Sequence, residues 1–167
     1  RRALKIKPDY AEVHCNLGCL LTKLNRLEEA EMCFRSAIQF KPEMEKAHYF
    51  LASTFLSRAK YDLAISCLRE AVRIKPHYQD ALNDLGLACF RIGRCGDAIS
   101  YFRQAISVNP NFAYSYSNLL LSLSHSHSIT PDELFAEHRR FGEQFDVVNM
   151  NSQTHFRNVR NTEKRLR

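Results

Sequence analysis

Four of the chain's five prolines, Pro8, Pro42, Pro76 and Pro110, stand 34 residues apart in succession. A strict period of this length admits few folds, because one unit is too short to bury a core alone and must stack on its neighbours. The period divides the chain into three full units, 11–44, 45–78 and 79–112. A tail at 1–10 precedes them, an altered unit at 113–146 follows, and a last stretch runs from 147 to 167. Within each unit, apolar residues recur at three- and four-residue steps, the mark of amphipathic helices. The first halves carry Val13, Leu17, Leu20, Leu21 and Leu24, then Ala47, Leu51 and Phe55, then Ala81, Leu85, Ala88, Cys89 and Ile92. The second halves carry Ala30, Phe34, Ala37 and Ile38, then Ala64, Leu68, Ala71 and Val72, then Ala98, Phe102, Ala105 and Ile106. Small residues alternate with large ones, so paired helices can approach closely. The pattern predicts an all-α solenoid of antiparallel helix pairs. Within pairs, Asn25 and Gly93 are suited to end a helix in left-handed backbone; Ala59 holds the same slot less comfortably.

The fourth unit departs from the pattern. Its first half keeps Tyr116, Leu119, Leu120 and Leu123, but the polar stretch from Ser124 to Ser128 follows, and a new helix opening appears at Thr130-Pro131-Asp132-Glu133. Thr as cap, Pro at the first helical position and Glu three residues after the cap form a strong start signal. Leu134, Phe141 and Phe145 give the new helix an apolar stripe with which to cover the end of the stack, and His138, on or beside that stripe, is expected to be a packed or hydrogen-bonded structural side chain. From Val147 onward the periodicity vanishes, and an extended or poorly ordered segment is expected.

Six cysteines among 167 residues could imply a disulfide scaffold, but a chain this long and 45% apolar can bury a core without them. Cys33 and Cys67 stand 34 apart, at equivalent places in neighbouring units, and Cys89 falls on an apolar stripe. All six are read as reduced, small hydrophobes in a cytoplasmic protein. Cys15 and Cys19 lie four apart and His125 and His127 two apart, but no second tight pair completes a zinc set, so no metal site is expected. There is no Gly-rich phosphate loop and no Ser/His/Asp context, so no catalytic or cofactor-binding residue is predicted. No stretch approaches a membrane span. The net charge of +6 raises the possibility of nucleic acid. Its distribution argues against that: residues 1–10 carry +3 and 147–167 carry +4, while everything between carries −1.

Unit by unit, Leu17-Gly18, Ala30, Phe34, Ala37 and Pro42; Leu51-Ala52, Ala64, Leu68, Ala71 and Pro76; and Leu85-Gly86, Ala98, Phe102, Ala105 and Pro110 resemble the tetratricopeptide repeat. The resemblance covers roughly residues 1–124. The large aromatic often found early in that repeat is replaced by His14, His48 and Leu82, with Tyr116 nearest to it. The family implies a right-handed superhelix, here closed by a C-terminal capping helix, whose concave face is lined by the first helix of each pair and takes extended polypeptide. Helical spacing then puts Glu12, Asn16, Cys19 and Lys23 on that face, followed by Lys46, Phe50, Ser53 and Ser57. Asp80, Asp84, Leu87 and Arg91 continue it, and Tyr114, Asn118, Leu121 and His125 complete it. Asn16, Asp84 and Asn118 share one repeat position, suited to hydrogen-bonding the backbone of a threaded peptide, with Phe50 interrupting the series.

Ser117-Asn118-Leu119-Leu120-Leu121 and the run from Thr130 to Gly142 resemble the junction after the repeats in bacterial relatives of O-linked N-acetylglucosamine transferase. Asn161-Thr162-Glu163-Lys164-Arg165-Leu166-Arg167 resembles the lead-in to that family's catalytic half. The resemblance implies a substrate-docking module for a protein glycosyltransferase, with any nucleotide sugar held in a downstream domain and an asparagine ladder, at the position of Asn16 and Asn118, engaging the protein. A stand-alone scaffold is the alternative, and the oligomeric state is left open. Co-chaperone tetratricopeptide domains clamp acidic chain ends with Lys, Asn and Arg; here the corresponding places hold Cys15, Cys19, Asp80 and Asp84, which would repel a carboxylate.

Overall fold

The computed structural model describes residues 9–126 and 129–149. The tail at 1–8, His127 and Ser128, and the stretch 150–167 lie outside the described residues, and with them most of the expectation for the last segment. The described residues form eight helices and no strand: α1 (Asp9–Lys23), α2 (Leu27–Phe40), α3 (Glu45–Ser57), α4 (Tyr61–Ile74), α5 (Gln79–Arg91), α6 (Cys95–Val108), α7 (Ala113–Ser124) and α8 (Pro131–Asn149). Each helix packs on its sequence neighbour, α1 on α2, α2 on α3 and so on to α7 on α8. This is the all-α solenoid of helix pairs that the period predicts.

The local chemistry of the breaks explains where the helices end. Asn25 (φ 58°), Ala59 (φ 54°) and Gly93 (φ 79°) all take left-handed backbone. At each break the next amide reaches back five residues, Arg26 to Leu21 (2.9 Å), Lys60 to Phe55 (2.9 Å) and Arg94 to Cys89 (2.9 Å), so the final carbonyls are satisfied. Between pairs, each proline is the second residue of a tight turn. Met44 N–H donates to the Lys41 carbonyl (3.2 Å), Tyr78 to Lys75 (3.0 Å) and Phe112 to Asn109 (3.1 Å).

The core is a file of small and large residues at equivalent register: Ala30, Phe34 and Ala37, then Ala64, Leu68 and Ala71, then Ala98, Phe102 and Ala105, all buried. The first helix differs from the sequence reading. Only Leu21 of its five expected apolar positions is buried; Val13, Leu17, Leu20 and Leu24 are exposed, and Ala11 and Cys15 are buried instead. At the other end, Thr130 N–H and hydroxyl both reach Glu133 (2.8 and 2.9 Å), which completes the expected capping box. That amide holds the Glu133 carboxyl below its ordinary range. Tyr116 of α7 then packs against Phe141 (6.0 Å between ring centres) and Phe145 (5.6 Å), closing the stack. The helix α8 continues to Asn149, three residues into the stretch expected to be extended or poorly ordered, and His138, expected to be packed or hydrogen-bonded, is exposed.

Candidate functional site

The first helices of the pairs approach one another along one side of the stack, α1 touching α3 and α5 touching α7. On the other side an open, mostly apolar groove separates α2 from α4, lined by Ile38, Leu63 and Cys67. The side where helices converge is the inner, concave one. Its N-terminal half holds a cavity of about 470 Å³ between α1 and α3, lined by Asn16, Cys19, Lys46, Phe50 and Tyr78 among others.

Aromatic rings form one wall of this cavity. Phe50 stacks on Phe34 (5.8 Å) and leans on Tyr49 (5.5 Å), which in turn packs on Tyr78 (5.0 Å). The Lys75 ammonium sits 4.9 Å from the centre of the Tyr78 ring, a cation–π contact that helps fix it. Burial, with Asp80 next in weight, pushes the Tyr78 hydroxyl up to about 12, and burial with Asp84 raises Tyr49 further. Both phenols are therefore neutral hydrogen-bonding groups. Asn16 and Lys46 are exposed at the mouth, so one wall is apolar and the rim is polar. That combination suits a chain segment that buries side chains and pairs its backbone.

The C-terminal half of the face is tied up internally. Asn83 is buried, and its side-chain oxygen accepts from the Ser115 hydroxyl (3.0 Å) and the Asn118 amide (3.2 Å). Its own amide donates to Asp84 (3.4 Å). Burial raises the Asp84 carboxyl above its ordinary value, while the Tyr49 hydroxyl and Asn83 beside it pull the other way. Asn118 and Asp84 thus already have partners, whereas Asn16 at the same repeat position is exposed.

The structure brings Asn16, Lys46 and Phe50 together around one cavity. Asp84 and Asn118 meet through Asn83; Lys23, Asp80, Arg91 and Tyr114 are exposed and separate from that cavity's lining. Tyr49, Tyr78 and Asn83 were missed from sequence. Tyr49 and Asn83 share one repeat position with Cys15, immediately before Asn16, Phe50 and Asp84, and that shared register was the available signal. Cys15 and Cys19 both border the cavity, and burial pushes the Cys15 thiol up to about 11. Among the described residues no group of three or more His, Cys, Asp or Glu could hold a metal ion, and no helix is long and apolar enough to cross a membrane.

Comparison with known proteins agrees with this architecture. Tetratricopeptide-repeat profiles match residues 11–44 and 49–118, together more than half of the chain. No curated protein sequence matches it. Among solved structures, MamA shares 22% identity over 89% of this chain and 86% of its own, with a TM-score of 0.79. An O-GlcNAc transferase mutant of Thermobaculum terrenum shares 18% over 82% of this chain and 26% of its own (TM-score 0.71). The first TPR of Spaghetti, bound to an HSP90 peptide, shares 20% over 72% of this chain and 95% of its own (TM-score 0.70). At these identities the likeness is one of fold. With the helix pairs, the left-handed breaks and the profile matches all agreeing, the chain belongs to the tetratricopeptide-repeat family, whose members are protein-interaction modules.

Proposed function

We propose that the concave face binds an extended polypeptide segment, entering over the cavity between α1 and α3. The observation that carries this is the juxtaposition, around one open cavity, of the Phe50 and Tyr78 rings, each packed on Tyr49, with the exposed polar groups of Asn16 and Lys46. The aromatic wall takes apolar side chains, and Asn16 can pair with a peptide group in both directions because its amide donates and accepts. A C-terminal carboxylate clamp is not the mode, since Asp80 and Asp84 put negative charge where a clamp needs cations.

The bound segment is delivered to a protein glycosyltransferase domain, a reading supported by the resemblance of the runs Thr130–Gly142 and Asn161–Arg167 to that family, alongside the fold likeness to the Thermobaculum terrenum enzyme. A stand-alone scaffold is the alternative reading, and MamA shares this fold over 89% of this chain and 86% of its own. The coding sequence beyond Arg167 separates the two, because an apolar strand leading into a long α/β region supports delivery and a stop codon supports the scaffold.

Binding itself is tested with peptides selected from a random displayed library. Asn16→Ala combined with Lys46→Ala, both at exposed side chains, should weaken the selected peptides by about tenfold or more while leaving the melting temperature unchanged. Equal affinity in the variant would refute the assignment.

A further inference from the structure

Two side chains keep the outer groove between α2 and α4 open. The place of Cys67 is taken in the next unit by Tyr101, 34 residues on, whose half-buried ring packs on the core. A thiol is far smaller than a phenol ring, and beside Cys67 stands a cavity of about 380 Å³ walled by Ile38, Leu51, Phe55 and Leu63. Leu63, 47% exposed, forms its lip at a register where the neighbouring units carry Glu29 and Asp97. An apolar hollow with a leucine lip suits a large apolar side chain, an aromatic ring above all.

The chain itself presents such a ring. Phe135 on α8 is 71% exposed, more than any other large apolar side chain among the described residues. It continues the 34-residue series of Cys67 and Tyr101, but Leu134 beside it takes the place against the core. Asp132 and Arg139, three residues before it and four after, share its face of the helix. Those opposite charges match the rims of the groove, where Arg35 stands on α2 and Glu70 on α4. Arg35 pairs with Glu31 (2.8 Å), Glu70 with Arg73 (2.9 Å) and Arg139 with Glu143 (2.8 Å), each within its own helix. Surface pairs of this kind contribute little and exchange readily.

We infer that the outer groove between α2 and α4 is a docking surface for a second copy of the chain, whose Phe135 enters beside Cys67. Helix α8 of that copy crosses the groove with Asp132 over Arg35 and Arg139 over Glu70. Knob and hollow lie on different elements, so the contact is head-to-tail. It uses the outer side of the stack and leaves the concave face open to peptide.

Sedimentation equilibrium of the reduced chain tests this. The weight-average mass should rise between about 10 µM and about 1 mM, the range of a small, weak interface. Phe135→Glu removes the knob at an exposed position, and Leu63→Asp replaces the apolar lip by the carboxylate that Asp97 supplies in the next unit. Each should weaken self-association by about tenfold or more and leave the melting temperature unchanged. Cys67→Tyr, which fills the hollow from within, should act likewise; Leu63→Asp reads the hollow even where that chain fails to fold. Phe135→Glu keeps its hollow and Leu63→Asp keeps its knob, so the two variants, mixed, should form a one-to-one complex. A parent chain still monomeric at about 1 mM would overturn the inference, as would self-association that survives either substitution. A mixture of the two variants that stays monomeric would overturn it as well.

Discussion

Gly86, in the middle of α5, shows how closely the paired helices are fitted. A Cβ added there would stand 2.7 Å from Cε1 of Phe102 and 2.9 Å from its Cδ1 and Cζ; at Gly18 the nearest atom of Phe34 would be at 2.6 Å. The equivalent places in the middle pair hold Ala52 and Leu68, each one size away from the flanking pairs and both fully buried. The small and large positions therefore vary together. Substituting Gly86→Ala sets two effects against each other: alanine gains about 1 kcal/mol of helix propensity over glycine, and a methyl at 2.7 Å from a buried ring overpacks it by about 2–3 kcal/mol, the upper part of the usual range. The second wins, with a net loss of about 1–2 kcal/mol. Phe102→Leu alone should cost about 1 kcal/mol through lost ring contacts. Combined, the two recreate the Ala–Leu pairing of the middle unit, so the double variant should recover most of the loss, a coupling of about 1.5 kcal/mol. Urea unfolding of the four chains, compared at constant m, measures this. A Gly86→Ala chain as stable as the parent, or effects that simply add, would refute the argument.

Three further outcomes follow from the structure. Ala59 carries left-handed backbone without glycine's freedom, so Ala59→Gly should raise stability by about 1 kcal/mol in the same urea assay. Removing Asn83 as alanine strands the buried Ser115 hydroxyl and cuts the tie between α5 and α7, a loss of about 1–3 kcal/mol seen as a lower melting temperature. The Asp84 carboxyl, raised by burial, keeps its proton to higher pH in the folded than in the unfolded chain. Below its ordinary value of 3.8 it is neutral in both states; as pH rises through the window above that, the unfolded chain ionises first and the fold loses stability. Asp84→Asn should therefore gain stability relative to the parent as pH rises from about 3 to about 7, and a difference independent of pH would count against a buried carboxyl.

What was legible in the sequence divides along physical lines. Breaks and caps are local chemistry, so Asn25, Ala59, Gly93 and the Thr130–Glu133 box were read correctly from a few residues each. The α1 stripe was legible as a helix but not as a surface, because the burial of Val13, Leu17 and Leu20 depends on a neighbouring helix and not on their own spacing. Asn83 escaped notice because its partners Ser115 and Asn118 lie 32 and 35 residues away. An asparagine between a leucine and an aspartate looks like any other until the next repeat is laid beside it. Asn118 was read as a free rung of a ladder for the same reason; its amide is partly used within the fold. His138 illustrates the opposite error: it keeps helical spacing with Leu134 and Phe141, yet it is exposed while Glu137 beside it is partly buried.

The central claim is that peptide enters the concave face beside the Phe50 and Tyr78 rings. Amide chemical shifts of the labelled chain, recorded as a library-selected peptide is titrated in, test it most directly. The account predicts perturbations centred on Asn16, Cys19, Lys46, Phe50 and Tyr78, and their loss in Asn16→Ala, Lys46→Ala. Perturbations confined to the outer groove at Ile38, Leu63 and Cys67 would contradict it.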